Sequence, residues 1–380
     1  MVERGPIRPP SEFTSLLLRV TRHCPWNKCA FCSLYEGQRF QRRDAAEVVA
    51  EIGQVAHIAS LLRERASAAV AAGRAFPLAL LDLVSTRTLS YDERRVALWL
   101  SRGGTHVFLQ DADSLVGPAH HLLPILEAIR TQLPTVQRIT TYARSRSLFA
   151  KSLADLTALR SAGLSRVHVG IESGSAAVLS QMAKGCLPAH HIEGGRKAIA
   201  AGLEMTAYIM PGLGGVALRQ EHVAETAHVL QQMCPHHIRV RTLWIDEGTR
   251  LARMRDAGEF QLPEEEDMLA EIRDWLVRLR GMDSEWISDH DRNLLPRLRG
   301  HLTRDFDALF QAVSAVLDLP LSEQHAFIVA RRLGMVATLE TFLEDEERRA
   351  LCRQKAAELV ALGEGSLVRG MALGLRARSI

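Results

Sequence analysis

Short apolar runs that alternate with helical patterns set the fold class of this chain. The runs lie at residues 16–20, 106–109, 138–142, 166–171, 205–210 and 237–243. Between the later ones, Leu153, Leu156 and Leu159 recur at helical spacing up to Gly163, and Val178, Leu179 and Met182 up to Gly185. A further pattern carries Ile192, Ala198 and Ile199 and ends at Gly202. Glycine just past a last turn is a helix stop, because it takes the left-handed backbone conformation without steric cost. A strand–helix repeat of this kind implies parallel strands joined by right-handed crossovers. Six strands counted from Leu16 predict an α/β fold, a partial (β/α)6 TIM-type barrel, over residues 14–250.

Two segments depart from the repeat. An alanine-rich stretch from Asp44 to Gly73 reads as one long helix or two short ones, and residues 78–84 read as an inserted strand. From about Pro263 the strand signals fade. Pro263-Glu264-Glu265-Glu266 has the proline and acids of a helix start, and Leu269, Ile272, Trp275, Leu276 and Leu279 follow at helical spacing up to Gly281. The patterns at 305–317, 322–333 and 339–362 are helical too. Residues 260–380 are therefore expected to form a helical C-terminal region.

Composition excludes several classes. The 380 residues are 47% apolar, enough for a sizeable core. Charge is nearly balanced, with 47 basic and 44 acidic residues and a formal net of +3, so no electrostatic footprint of a nucleic-acid binder is evident. No uninterrupted apolar stretch of about 18 residues appears, and the first residues lack the apolar segment of a signal peptide. A cytoplasmic, reducing location and no membrane partner are the expectation. Six cysteines in such a compartment are not a disulfide framework.

Three of those cysteines, Cys24, Cys29 and Cys32, sit on one loop directly after the first apolar run. Three thiolates on a short loop suit a metal centre, and three ligands leave one position of a zinc ion or an iron–sulfur cube open. Zinc with His23 as fourth ligand is the structural alternative. Cys186, Cys234 and Cys352 are scattered singly and read as small buried hydrophobes.

In α/β barrels functional groups gather at the C-terminal ends of strands. Here those ends carry the cysteine loop, Gln110-Asp111-Ala112-Asp113, Tyr142-Ala143-Arg144, Gly170-Ile171-Glu172-Ser173-Gly174-Ser175, Met210-Pro211-Gly212 and Trp244-Ile245-Asp246. With Lys184-Gly185, the cysteine loop and the fourth and fifth of these motifs resemble the radical S-adenosylmethionine superfamily. The resemblance is to the branch holding oxygen-independent coproporphyrinogen oxidases, methylthiotransferases and cobalamin-associated radical enzymes. It covers roughly residues 14–250. Cys24 and Cys29 are separated by four residues where three are common in the superfamily, which leaves the subfamily open.

The resemblance implies a 4Fe–4S cluster on Cys24, Cys29 and Cys32, with S-adenosylmethionine on the fourth iron and an electron donor such as flavodoxin or ferredoxin. It also implies reductive cleavage to a 5′-deoxyadenosyl radical that abstracts hydrogen from a substrate. By the same resemblance Phe31 lies beside the adenine. Glu172 and Ser173 contact the ribose or methionine part, Lys184 the methionine carboxylate, and Pro211 and Gly212 the adenine.

Asp111 and Asp113, with Arg144, Arg239 and Arg241, read as substrate-facing; an internal ion pair of the arginines with Asp111 or Asp246 is the alternative. Glu172 and Ser173 equally suit a helix start, and Lys184 a solvated helix end. Residues 288–293 read as a solvated loop, and the adjacent histidine pairs are not expected to act as joint ligands. Without a second cysteine group or room for an N-terminal cobalamin domain, the two-cluster methylthiotransferases and cobalamin enzymes are disfavoured. A radical methyl or other group transferase, or a zinc-binding scaffold, remains the alternative to a hydrogen-abstracting enzyme.

Overall fold

The computed structural model describes residues 2–371. The chain begins with β1 (Leu16–Arg19), β2 (Thr21–Arg22) and β3 (Gln41–Arg42), then α1 (Ala45–Ala71), α2 (Phe76–Ser85) and α3 (Tyr91–Ser101). The repeat continues as β4 (His106–Gln110), α4 (Leu123–Gln132), β5 (Arg138–Ala143), α5 (Ser145–Ala150), α6 (Leu153–Ser161) and β6 (Leu164–Glu172). Next come α7 (Ala176–Gln181), α8 (Pro188–Ala200), β7 (Glu204–Ile209), α9 (Arg219–Met233), β8 (His237–Val240), α10 (Arg250–Asp256) and α11 (Glu265–Arg278). The last part holds β9 (Glu285–Ser288), β10 (Leu298–His301), α12 (Phe306–Leu317), α13 (Leu321–Arg332), α14 (Leu339–Leu343) and α15 (Glu346–Leu362).

Hydrogen-bonded strand order is β1-β4-β5-β6-β7-β8-β9-β10. The six strands expected from the sequence are all present. The sheet continues with β9 and β10, which lie in the stretch read as wholly helical. Each is only four residues long, too short for a period-2 pattern to stand out from the surrounding helices. Residues 78–84 are likewise not a strand but the body of α2. Pro77 in its first turn has no hydrogen bond to lose there, and Ala79 and Leu80 form its buried side.

Residues pack into two compact units. Among the described residues, one comprises 2–28, 34–170 and 189–207; the other comprises 29–33, 171–188 and 208–371. In the first, β1–β4, β4–β5 and β5–β6 pair in parallel, with Leu16 opposite Val107 and His106 opposite Arg138. Val107, Phe108 and Leu109 are fully buried, as in a parallel strand covered on both faces. The alanine-rich stretch is the single helix α1. Asp44 caps it by accepting the Ala46 N–H, and Val48, Ile52, Val55, Ala59, Leu62 and Ala66 make its buried stripe. That helix is long and apolar enough to cross a membrane by length and composition alone, a test that buried core helices also pass.

In the second unit, Val178, Met182, Met210, Leu213, Leu243 and Phe260 belong to one apolar cluster that also holds Ala30 of the cysteine loop. Burying each of these larger side chains contributes roughly 1.5–3 kcal/mol relative to exposure. Strand β9 joins β8 in parallel and β10 joins β9 antiparallel. Between β9 and β10, Asn293 is buried rather than solvated. Its amide donates to Val240 O and Ser288 Oγ, and its Oδ1 accepts the Thr242 N–H at 2.8 Å. The polar loop is thus a strap across the end of β8.

Candidate cofactor site

The start of the cysteine loop is fixed by charge. Asp111, wholly buried at the end of β4, accepts from Arg19 Nε at 3.0 Å and Nη2 at 2.6 Å, and from the His23 N–H at 3.1 Å. Arg19 also meets Glu3, whose carboxyl is held below its usual range chiefly by its hydrogen bond from Arg22. Asp111 therefore faces the loop's own anchor. The backbone then turns through positive φ at His23 and Asn27, and the Asn27 N–H donates to Cys24 Sγ at 3.4 Å.

Further along, the loop is stitched into the second unit. The Ala30 N–H donates to Met182 O at 2.9 Å, and Ala30 O accepts the Leu251 N–H at 2.8 Å. Ala30 is buried between these two strands of chain, so Cys29 and Cys32 flank a fixed point. None of the three is in a disulfide; Cys24 and Cys29 are half-buried and Cys32 is exposed. The donor set, three cysteines outside any disulfide on one loop with a backbone N–H already given to one sulfur, suits an iron–sulfur cube. Among the described residues no three His, Cys, Asp or Glu side chains converge closely enough to hold a metal ion.

Glu172 ends β6 with φ at +65°, a conformation that a non-glycine residue seldom adopts. Its Oε1 accepts from Lys184 Nζ at 2.9 Å. Lys184 lies 5.7 Å from the Phe31 ring centroid, within cation–π reach. Burial favours loss of the lysine proton, but Glu172, with the Cys29 and Cys186 sulfurs, outweighs it and holds Lys184 above its usual range. Lys184 is thus no solvated helix end, for its side chain is only 12% exposed. The structure gathers Phe31, Glu172 and Lys184 beside Cys29.

Ser173 goes elsewhere. It is fully buried, with Oγ 2.8 Å from His222 Nδ1. His222 Nε2 lies 3.0 Å from Met210 O, which can only accept. So Nε2 carries the proton, Nδ1 accepts, and Ser173 donates to it. Burial pushes His222 down to about 4, and the ring is neutral. Ser173 thereby ties the end of β6 to the turn after β7. In that turn Leu243 N–H donates to Pro211 O at 3.0 Å, and Gly212 N–H to Glu271 Oε2 at 2.8 Å. Gly212 has φ at +86°, and a Cβ there would lie 2.5 Å from Met268 Sδ, so only glycine fits.

His222 and Glu271 are the residues that sequence reading misses. Each stands on a helix where its spacing is indistinguishable from that of a solvated polar residue. Glu271 is fully buried and its carboxyl is raised to about 8 by burial, against the opposing Gly212 N–H and the Arg219 guanidinium. Arg219 Nε stands 3.8 Å from Oε1, too far for a hydrogen bond, so burial decides.

Of the remaining polar residues at strand ends, Asp113 and Arg144 are brought together, the Arg144 N–H and charge acting on the Asp113 carboxyl. Asp113 is buried, raised to about 6 by burial, and accepts from Ser147 Oγ at 2.5 Å. Arg144 stacks over Trp26 at 5.2 Å. Arg239 is buried and pairs with Asp289 at 2.7 Å and with the Tyr208 hydroxyl at 3.0 Å, not with Asp111 or Asp246. Arg241 is exposed and lies just beyond the end of β8 at Val240. Of the scattered cysteines only Cys352 is buried; Cys186 is half-buried and Cys234 exposed.

The class defined is an α/β protein with a three-cysteine loop, of which Cys29 lies beside a lysine–glutamate pair at a strand end. No protein-family model matches the chain, and no curated protein does. Solved structures do. Coproporphyrinogen III oxidase (HemN) from Escherichia coli, a radical SAM enzyme, is 14% identical over 70% of this chain and 52% of its own, with a TM-score of 0.45. The radical S-adenosylmethionine methyltransferase TsrM from Kitasatospora setae, solved with cobalamin and a [4Fe-4S] cluster, is 14% identical over 90% of this chain and 61% of its own, with a TM-score of 0.45. The archaeal Elp3 of Methanocaldococcus infernus is 15% identical over 56% of this chain and 53% of its own, with a TM-score of 0.41. The chain spans only about half to three fifths of the length of these proteins.

Proposed function

We propose that this protein is a radical S-adenosylmethionine enzyme acting on a small molecule in a reducing, cytoplasmic setting. The observation that carries the reading is the docking of the Cys29–Cys32 segment beside the Glu172–Lys184 pair. An α-amino acid zwitterion needs a carboxylate for its ammonium and an ammonium for its carboxylate. That pair supplies both next to the thiols.

In this reading Cys24, Cys29 and Cys32 hold a 4Fe–4S cluster, which, when bound and reduced by a flavodoxin or ferredoxin, supplies the electron that cleaves the sulfonium. Lys184 and Glu172 take the methionine end of S-adenosylmethionine. Phe31 offers a ring face to the adenine, and the Pro211–Gly212 turn is its backbone neighbour. Ser173 acts through His222 by fixing the strand ends. Asp111 holds the loop's start through Arg19. Hydrogen abstraction from the substrate is the expected outcome, with radical group transfer the finer alternative.

Metal analysis of protein prepared without oxygen tests the reading. About four irons and four acid-labile sulfides per chain are expected after reconstitution. One zinc without labile sulfide would support the scaffold reading in its place.

A further inference from the structure

Helix α11 lies in the C-terminal region, outside the segment that resembles the superfamily, yet it reaches the turn after β7. Glu271 on that helix has no exposure to solvent. Its Oε2 accepts the Gly212 N–H at 2.8 Å, and its Oε1 is buried with no hydrogen-bond partner. His222 Nε2 is 4.0 Å away and Arg219 Nε 3.8 Å. A buried carboxyl with one bonded and one orphaned oxygen is costly to keep in a core, and the contact it makes is the one with the Gly212 N–H. Met268, one turn earlier on α11, fills the space against the Gly212 Cα. Two residues of one helix thus grip a single peptide unit.

We propose that Glu271 is a positioning residue: by accepting the Gly212 N–H it fixes the Pro211–Gly212 peptide in the orientation that receives the adenine of S-adenosylmethionine. The inference rests on the cofactor reading given above. It makes α11 part of the binding apparatus through one backbone contact and assigns Glu271 no contact with cofactor.

The test compares Glu271→Gln, which keeps a carbonyl acceptor, with Glu271→Leu, which keeps volume and loses it. In the metal-free full chain, amide exchange at Gly212 should rise roughly tenfold or more in the Leu variant and stay near the parent rate in the Gln variant. In reconstituted protein the Leu variant should bind S-adenosylmethionine roughly tenfold more weakly at unchanged iron and sulfide content, with Gln restoring the parent affinity. If Gln fails as Leu does, or if exchange at Gly212 is unmoved in Leu, the positioning role is overturned. If the parent binds no S-adenosylmethionine while exchange responds as expected, the cofactor reading fails and the Gly212 contact alone survives.

Discussion

Replacing Cys29 by alanine is expected to abolish iron–sulfur loading and to lower S-adenosylmethionine cleavage by more than about a hundredfold. Even partners one layer outside a metal's ligands are worth about 10–100-fold, and a direct ligand is worth more. The same substitution should leave the fold of the metal-free chain nearly unchanged, within about 0.5 kcal/mol, because its side chain is half-exposed and fills no core space. The combination is diagnostic. Cys352→Ala, deep in the C-terminal helices, should do the reverse, costing stability and sparing the iron content. Iron and sulfide assays with thermal melts of both variants check this. Equal iron loss in the two would contradict the assignment.

Gly174→Ala is expected to be the most damaging single methyl near the site. A Cβ there would stand 2.1 Å from Glu225 O and 2.7 Å from Thr226 Cα, both backbone atoms of α9 that cannot swing aside. The Gly174 N–H also donates to Thr226 Oγ1 at 2.8 Å. Overpacking against rigid backbone should cost about 3 kcal/mol or more, which lowers the melting temperature by roughly 4 °C for a chain of this size. Gly258→Ala is the comparison. Gly258 has φ at +75° but open space around it, so only the strain of the left-handed conformation, about 1–2 kcal/mol, should appear. Because α9 carries His222, the Gly174 variant should also lose the Ser173–His222 link. A melt no lower than that of Gly258→Ala would show that α9 can slide, and that the link does not hold it.

The contrast between these two glycines shows what a sequence discloses. Gly163 and Gly202 were readable as helix stops because the apolar spacing runs out just before them, and each has positive φ, whereas the left-handed position just past α7 falls to Ala183, ahead of Gly185. Gly174 follows a strand, and nothing local reveals that a helix some 50 residues later presses on its Cα. The same holds for the polar residues. Lys184 and Glu172 could be paired from the motif they share, since both lie within a short stretch of chain. Glu271 and His222 could not, because their burial depends on which face α9 and α11 turn inward. The apolar residues of α11 do not report that a carboxyl shares their side.

Strands followed the same rule. β4 to β8 announced themselves as strand-like runs between helical patterns, glycine-ended before β6 and β7, whereas β9 and β10 depend on pairing with β8 and with each other. Arg239 and Arg241 both read as substrate-facing, but β8 ends between them. One became the partner of Asp289 and the other a surface residue. Asp111 looked like a substrate group because it ends a strand, but Arg19 and the His23 N–H occupy it.

The most direct measurement is the formation of 5′-deoxyadenosine from S-adenosylmethionine by the reconstituted chain under strict anaerobiosis with dithionite. The account predicts 5′-deoxyadenosine and methionine in equal amounts, formed only with reductant and lost in Cys29→Ala. A fully loaded 4Fe–4S protein that leaves S-adenosylmethionine intact, or a reconstituted chain that takes up no cluster at all, would contradict it.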